Sequence, residues 1–187
     1  MHKSPTYAER ILAAADKLFY EQGIRAVGVD AVAAEAGVSK RTLYNYYPTK
    51  DDLIAAYLTG RFKLVPPSDA PARSQILAYF DRLERLFAEG GFRGCPYVNA
   101  VTELADRKHA ATSIAVRFKE ERLAWYRSLL ERMGVQDPDS LATQLQMLVE
   151  GALITALVRD DPKVARAARA AAEVLIDAAP KRKAKAK

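Results

Sequence analysis

Cysteine is nearly absent from this chain: Cys95 is the only one in 187 residues. No intramolecular disulfide can form, which points to a reducing compartment. Histidine is almost as scarce. His2 and His109 stand far apart, and with one cysteine and no His-x-x-x-His pair there is no pattern for a zinc site. No glycine-rich phosphate loop and no nucleophile–base arrangement is evident. No catalytic residue, cofactor or metal is therefore expected, and an enzyme is disfavoured. The amino terminus MHKSPTYAER has no apolar leader. The longest apolar run, around LVEGALITALV, is too short by itself to span a bilayer and carries Glu150. The expectation is a soluble cytoplasmic protein with no membrane contact.

Hydrophobic residues make up 50% of the chain, enough for a packed core rather than wholesale disorder. The formal charge is +6, but the last seven residues, KRKAKAK, hold five positive charges and leave only +1 over residues 1–180. This tail, 181–187, reads as a basic disordered segment, either solubilising or loosely attracted to phosphate. Net charge alone therefore does not establish a nucleic-acid partner.

Helical periodicity runs through almost every segment, and strand alternation is missing. Ile11, Leu12, Ala15, Leu18 and Phe19 make one apolar stripe, on a helix from about Thr6 that Gly23 stops. A short helix follows at Val29 to Ala36. Ser39 caps the next, which Pro48 ends, and Thr49 caps a fourth with Asp51 and Asp52 in its first turn. VPPSDAP, residues 65–71, reads as a boundary between domains. Beyond it, helices are expected around the stripe Ile76, Leu77, Phe80, Leu83 and Phe87, then from Tyr97 to about Lys108 and from Ala111 to Met133. Asp137-Pro138 and Asp161-Pro162 each resemble an N-cap with proline at the first helical position. The fold class is all-α with about nine helices. The expected domains are 1–64, whose fourth helix from about residue 50 is a connector, and 65–180.

The segment GVSKRTLYNYYPTK, residues 37–50, concentrates donors and aromatic rings between two helix breakers. Ala33, Gly37, Val38 and Leu43 fall where a helix-turn-helix needs a small crossing residue, a turn glycine and two buried apolar residues, with Val32 joining them. With Leu43 inward, Lys40, Arg41, Thr42, Tyr44, Asn45 and Tyr46 supply the exposed donors, and Tyr47 lies on the core side. Arginine and asparagine read guanine and adenine edges in a major groove. Ser39 with the exposed N–H groups of the helix start, and Lys50 at the next helix, suit phosphates. Double-stranded DNA is the expected partner, with Val29 also counted among the contacts. A plain structural helix pair is the competing interpretation.

ILAAADKLFYEQGIRAVGVDAVAAEAGVSKRTLYNYYPTKDDLIAAYL, residues 11–58, resembles the TetR family of bacterial transcriptional regulators. The resemblance implies a three-helix DNA-binding domain and a C-terminal helical domain that dimerises and binds a small effector, usually for repression. It implies that Tyr44, Lys50 and the first turn of the recognition helix hold phosphates, and that Arg41, Thr42 and Asn45 vary with the operator. Two positions depart from the family pattern. Gly28 stands where a backbone-contacting threonine is frequent, and Tyr46 replaces a frequent histidine. RGCPYVNAVTEL, residues 93–104, resembles a stretch found in one group of members.

The helix from Pro138 to Arg159 is apolar on more than one side, as if buried in its own core and again against a partner. Leu141, Leu145, Leu148, Gly151, Ala152 and Leu175 are the residues expected at a homodimer interface. For an effector pocket the expectation rests on bulky apolar residues with isolated polar groups: Phe62, Phe80, Tyr97, Asn99 and Phe118, with Trp125, Tyr126, Met147 and Glu150. Glu150 could pair with an arginine, meet a cationic ligand or face solvent. Cys95 reads as a loop or packing thiol. The expected function is a dimeric repressor released from a palindromic operator by a small molecule. An activator of the same fold, or a non-specific architectural DNA binder, are the alternatives.

Overall fold

A computed structural model describes residues 4–63 and 65–182. These residues form nine α-helices: α1 Tyr7–Gln22, α2 Val29–Glu35, α3 Lys40–Tyr46, α4 Lys50–Gly60, α5 Ala72–Ala88, α6 Pro96–Leu104, α7 Ala110–Arg132, α8 Pro138–Arg159 and α9 Val164–Ala178. The all-helical class and the helix number agree with the sequence pattern.

Local chemistry sets the helix starts. Thr6 and Glu9 form a capping box on α1, and Thr49 and Asp52 form one on α4. Asp137 accepts the Ser140 N–H at 3.0 Å to open α8, with Pro138 at the first helical position. Two boundaries differ from expectation. α6 stops at Leu104 because Ala105 turns into the left-handed region, φ 54°, and the Asp106 carboxylate then accepts the Lys108 N–H in a turn. α9 begins at Val164 because Asp161 accepts the Lys163 N–H at 2.9 Å, so Pro162 sits in a turn rather than in the helix.

The helices assemble into two compact units that cut across chain order. One joins residues 4–63 to 95–118, and the other joins 65–94 to 119–182. This differs from the division expected near residue 64, since α6 and the first part of α7 go with α1–α4. The cause is packing. Tyr97 is buried, its hydroxyl donates to the Leu58 carbonyl at 3.2 Å, and its ring stacks on Phe118 with centroids 4.1 Å apart. Glu103 accepts the Arg25 N–H at 3.0 Å, and the Arg25 guanidinium donates to the Leu104 carbonyl at 3.2 Å.

Within the first unit, α1 packs on α2, α3 and α4 through Ile11, Ala15, Leu18 and Phe19. In the second unit α9 lies against α5 and α8. Ala165, Ala168, Ala172 and Ile176 are its buried face, and such small side chains let helices approach closely. Arg73 reaches Glu173 and Asp177, Arg166 reaches Glu84, and Arg169 reaches Asp81, stitching α5 to α9 at the surface.

α8 has 22 residues and contains an 18-residue stretch of mean hydropathy 1.5, enough to cross a membrane by length and composition alone. The core helix of a soluble protein passes the same test, and Leu141, Leu145, Val149 and Ala156 of α8 are buried within the unit. The tail expectation changes. Lys181 and Arg182 are ordered: the Gln136 N–H donates to the Pro180 carbonyl at 2.8 Å and the Arg182 N–H to the Gly134 carbonyl at 2.7 Å. Residues 183–187, and His2, lie outside the described residues.

Candidate nucleic-acid interface

α3 is a short helix with a single fully buried side chain, Leu43, at 0% exposure. Everything else on it is available or nearly so: Lys40, Arg41, Tyr44, Asn45 and Tyr46 are exposed, and Thr42 is half-buried. The turn before it has the expected geometry. Gly37 sits at φ +62°, and the Val38 N–H bonds back to the Ala33 carbonyl at 2.9 Å. Ser39 caps the helix by accepting the Thr42 N–H at 3.0 Å, and its hydroxyl also lies 2.8 Å from that of Thr42. Tyr47 is half-buried, and burial raises its phenol above the ordinary range.

Arg10 is a functional residue that sequence reading missed. Its guanidinium donates to the carbonyls of both Ala36 and Gly37, the latter at 3.0 Å, and so pins α1 to the turn. Nothing in local spacing signals this, because Arg10 and its partners are 26 and 27 residues apart.

Two basic residues expected at a DNA face have internal partners. Lys40 bridges to Asp30 at 2.9 Å, and that hydrogen bond raises the ammonium above its usual range. Lys50 donates to the Ile24 carbonyl at 2.7 Å and lies over the Phe19 ring. Burial lowers its affinity for the proton, against the opposing pull of Asp51 and Glu103. Lys50 is therefore first a strut for the α1–α2 loop. Val29 is half-buried at the start of α2.

Gly28 is the N-cap of α2, extended at φ −83° and ψ 159°, with no side-chain cap. A Cβ there would meet nothing within 4 Å. Gly28→Ser is expected to stabilise the chain by about 0.5–1 kcal/mol, through a cap hydrogen bond and a less flexible unfolded state. A melting temperature about 1–4 °C higher would register it.

The residues expected to line an effector pocket fall into two groups, one in each unit. Phe62, Tyr97 and Phe118 form an aromatic cluster in the first, where Asn99 also belongs. Phe80, Trp125, Tyr126 and Glu150 belong to the second. There Glu150 is held by the buried Arg122 and by Lys119 at 2.6 Å, so an arginine is one of its two cationic partners. Met147 is corrected: it is 67% exposed on the outer side of α8.

The interface residues need a similar correction. Leu141, Leu145 and Ala152 are buried within their own unit, so they are core. Leu148 and Leu175 are half-buried, and Gly151 is exposed. The apolar groups left in water on α8 are Met147, Ile154 at 55%, Leu157 at 37% and Val158 at 77%, with Val174 at 67% on α9. Met147, Gly151, Ile154 and Val158 are spaced by four, three and four residues, one continuous face of α8.

Residues 11–57 match the family model for bacterial regulatory proteins of the tetR family. Among solved structures, the chain is similar to a TetR transcriptional regulator from Streptomyces avermitilis. The two share 36% identity, cover 95% of this chain and 100% of that one, and superpose with a TM-score of 0.85. A TetR-family transcriptional regulator from Streptomyces coelicolor is 30% identical over 91% of this chain and 95% of its own, with a TM-score of 0.83. The HTH-type transcriptional regulator YjdC of Escherichia coli is 27% identical over 176 residues, 89% of this chain and 92% of that protein. With the helix-turn-helix geometry and near full-length likeness together, the chain belongs to the TetR family and is a helix-turn-helix transcriptional regulator, not an enzyme.

Proposed function

We propose that this regulator works in the cytoplasm as a homodimeric repressor, which binds a palindromic operator through α3 and leaves it when a small molecule binds the second unit. The observation that carries the DNA reading is the exposed surface of α3: Arg41, Tyr44, Asn45 and Tyr46 are exposed, and Leu43 is its one buried side chain. Arg41 and Asn45 suit base edges, while the tyrosine hydroxyls and Ser39 suit phosphates. Thr42 supports the cap and borders the same face. Lys40 and Lys50 contribute positive charge beside it while keeping their internal bonds.

Dimerisation follows from the outer face of α8 and α9. An exposed stripe of Met147, Ile154, Val158 and Val174 costs free energy in water and is suited to a second copy of itself. A two-fold dimer then reads two half-sites about 34–36 Å apart, or a multiple of that. Release requires that the effector prefer a state whose reading heads are mis-spaced, since a ligand indifferent to the two states shifts nothing.

Selection from random DNA duplexes at near-physiological salt tests the DNA reading. Enrichment of one palindrome is expected, and a folded dimer that enriches nothing would overturn it. On that operator, Tyr44→Ala should weaken binding on all sequences alike. Asn45→Ala should also lose about 1–3 kcal/mol of discrimination at one base position per half-site. If both variants bind as the parent does, α3 is not the reading element.

A further inference from the structure

The second unit holds a polar cluster that core packing does not account for. Arg122 is 6% exposed. Its guanidinium donates to the Tyr79 hydroxyl at 3.2 Å, to the Gln146 side-chain oxygen at 3.2 Å and to Glu150. Tyr126 is fully buried, and its hydroxyl has no hydrogen-bond partner among the described residues. A buried hydroxyl left unsatisfied is costly, so its presence in a core calls for an explanation. Burial, and then the neighbouring Tyr79, hold the Tyr126 phenol in its protonated form, so it is a donor in want of an acceptor. Tyr79 accepts from Arg122, which leaves the Tyr79 O–H proton for another acceptor. Three rings surround these groups: Tyr79, Trp125 and Tyr126 have centroids 4.9–6.0 Å apart. Donors converge beside aromatic surfaces, the complement of a planar anion.

We propose that the second unit binds a small aromatic carboxylate, its carboxylate taken by the Tyr126 and Tyr79 hydroxyls and Arg122 and its ring laid against Trp125. This rests on the effector reading above and gives the ligand a chemical class. Glu150 and Lys119 set the competition. Both Arg122 and Lys119 contact the same oxygen of Glu150, so an incoming carboxylate must share Arg122 with an acid already in place. A cationic aromatic would instead compete with Arg122 for Glu150 and leave the Tyr126 hydroxyl without an acceptor.

Trp125 is the only tryptophan in the chain, so its fluorescence reports on this cluster alone. The full-length protein and Tyr126→Phe are titrated with benzoate, cyclohexanecarboxylate, benzamide and benzylamine, and each protein's melting temperature is recorded without ligand. Benzoate is expected to change Trp125 emission saturably in the millimolar range, as suits so small a probe. Benzamide and benzylamine should not. Tyr126→Phe should melt at or above the parent temperature, because it removes an unsatisfied group, yet bind benzoate about tenfold or more weakly. Cyclohexanecarboxylate should bind more weakly than benzoate. A response to benzamide or benzylamine but not to benzoate overturns the carboxylate class and leaves the effector reading standing. A Tyr126→Phe protein that melts lower and keeps the benzoate response overturns it too, since the hydroxyl then serves a buried water only. Silence toward all four also overturns the class. The effector reading then falls only if a neutral-compound screen for operator release fails as well.

Discussion

Ile154→Asp is expected to turn the protein into a folded monomer that no longer holds a palindromic operator. Ile154 is 55% exposed in the single chain, so a carboxylate there meets water and leaves the fold intact. In a two-fold dimer the same position recurs on both chains, and each would bring an unpaired charge into an apolar contact. At roughly 3 kcal/mol per uncompensated charge, the dimer loses about 6 kcal/mol, or some four powers of ten in dissociation constant. Sedimentation equilibrium and operator binding measure the two consequences together. Leu145→Asp is the contrasting variant. Leu145 is at 0% exposure within its own unit, so a charge there should unfold the chain rather than split a dimer. An Ile154→Asp protein that stays dimeric and binds DNA like its parent would remove the outer face of α8 from the subunit contact.

Gly37→Ala should destabilise the DNA-reading unit by about 3 kcal/mol, a fall of roughly 6–12 °C in melting temperature. Two causes add. Gly37 stands at φ +62°, where an alanine costs about 1–2 kcal/mol. The new Cβ would also lie 2.7 Å from the Arg10 guanidinium nitrogen that holds the Ala36 and Gly37 carbonyls. Displacing a charged donor from such carbonyls loses about 1.5–3 kcal/mol. The pair offers an internal check. Arg10→Ala removes the same hydrogen bonds, so the double variant should be less destabilised than the sum of the single ones. Strict additivity would show that Arg10 and the turn act independently. Operator affinity should fall along with stability, because the turn sets the angle at which α3 is presented.

Sequence was most informative where structure is decided within one helical turn. The Ser39 and Thr49 caps and the Gly37 turn each involve residues a few positions apart, and each is present. The orientation of α3 was legible for a similar reason: with one aliphatic residue among seven, only one face can be inward. α8 was the opposite case. It is apolar nearly all round, so periodicity shows two buried faces without saying which belongs to this chain. Choosing Leu141, Leu145 and Ala152 for the partner selected the inner stripe, while Met147, Ile154 and Val158 occupy the outer one. Long-range polar pairings were hardly legible: an arginine for Glu150 was one option of three, and nothing indicated which arginine. Arg10 with the turn, Lys50 with the Ile24 carbonyl and Arg122 with Glu150 bring together residues separated by 26 to 28 positions, with no motif between them.

The DNA-reading unit is discontinuous, and this constrains how the protein is made. α1–α4 are synthesised first, but Leu58 waits for the Tyr97 hydroxyl, Arg25 for Glu103, and Phe62 for Phe118. At about 5–20 residues per second, residue 118 follows residue 63 by a few to about ten seconds. Throughout that interval the nascent head has its recognition helix but not its full complement of packing partners. A ribosome stalled before residue 95 should therefore display an α1–α4 segment more open to protease than one stalled after the whole of α7 has emerged.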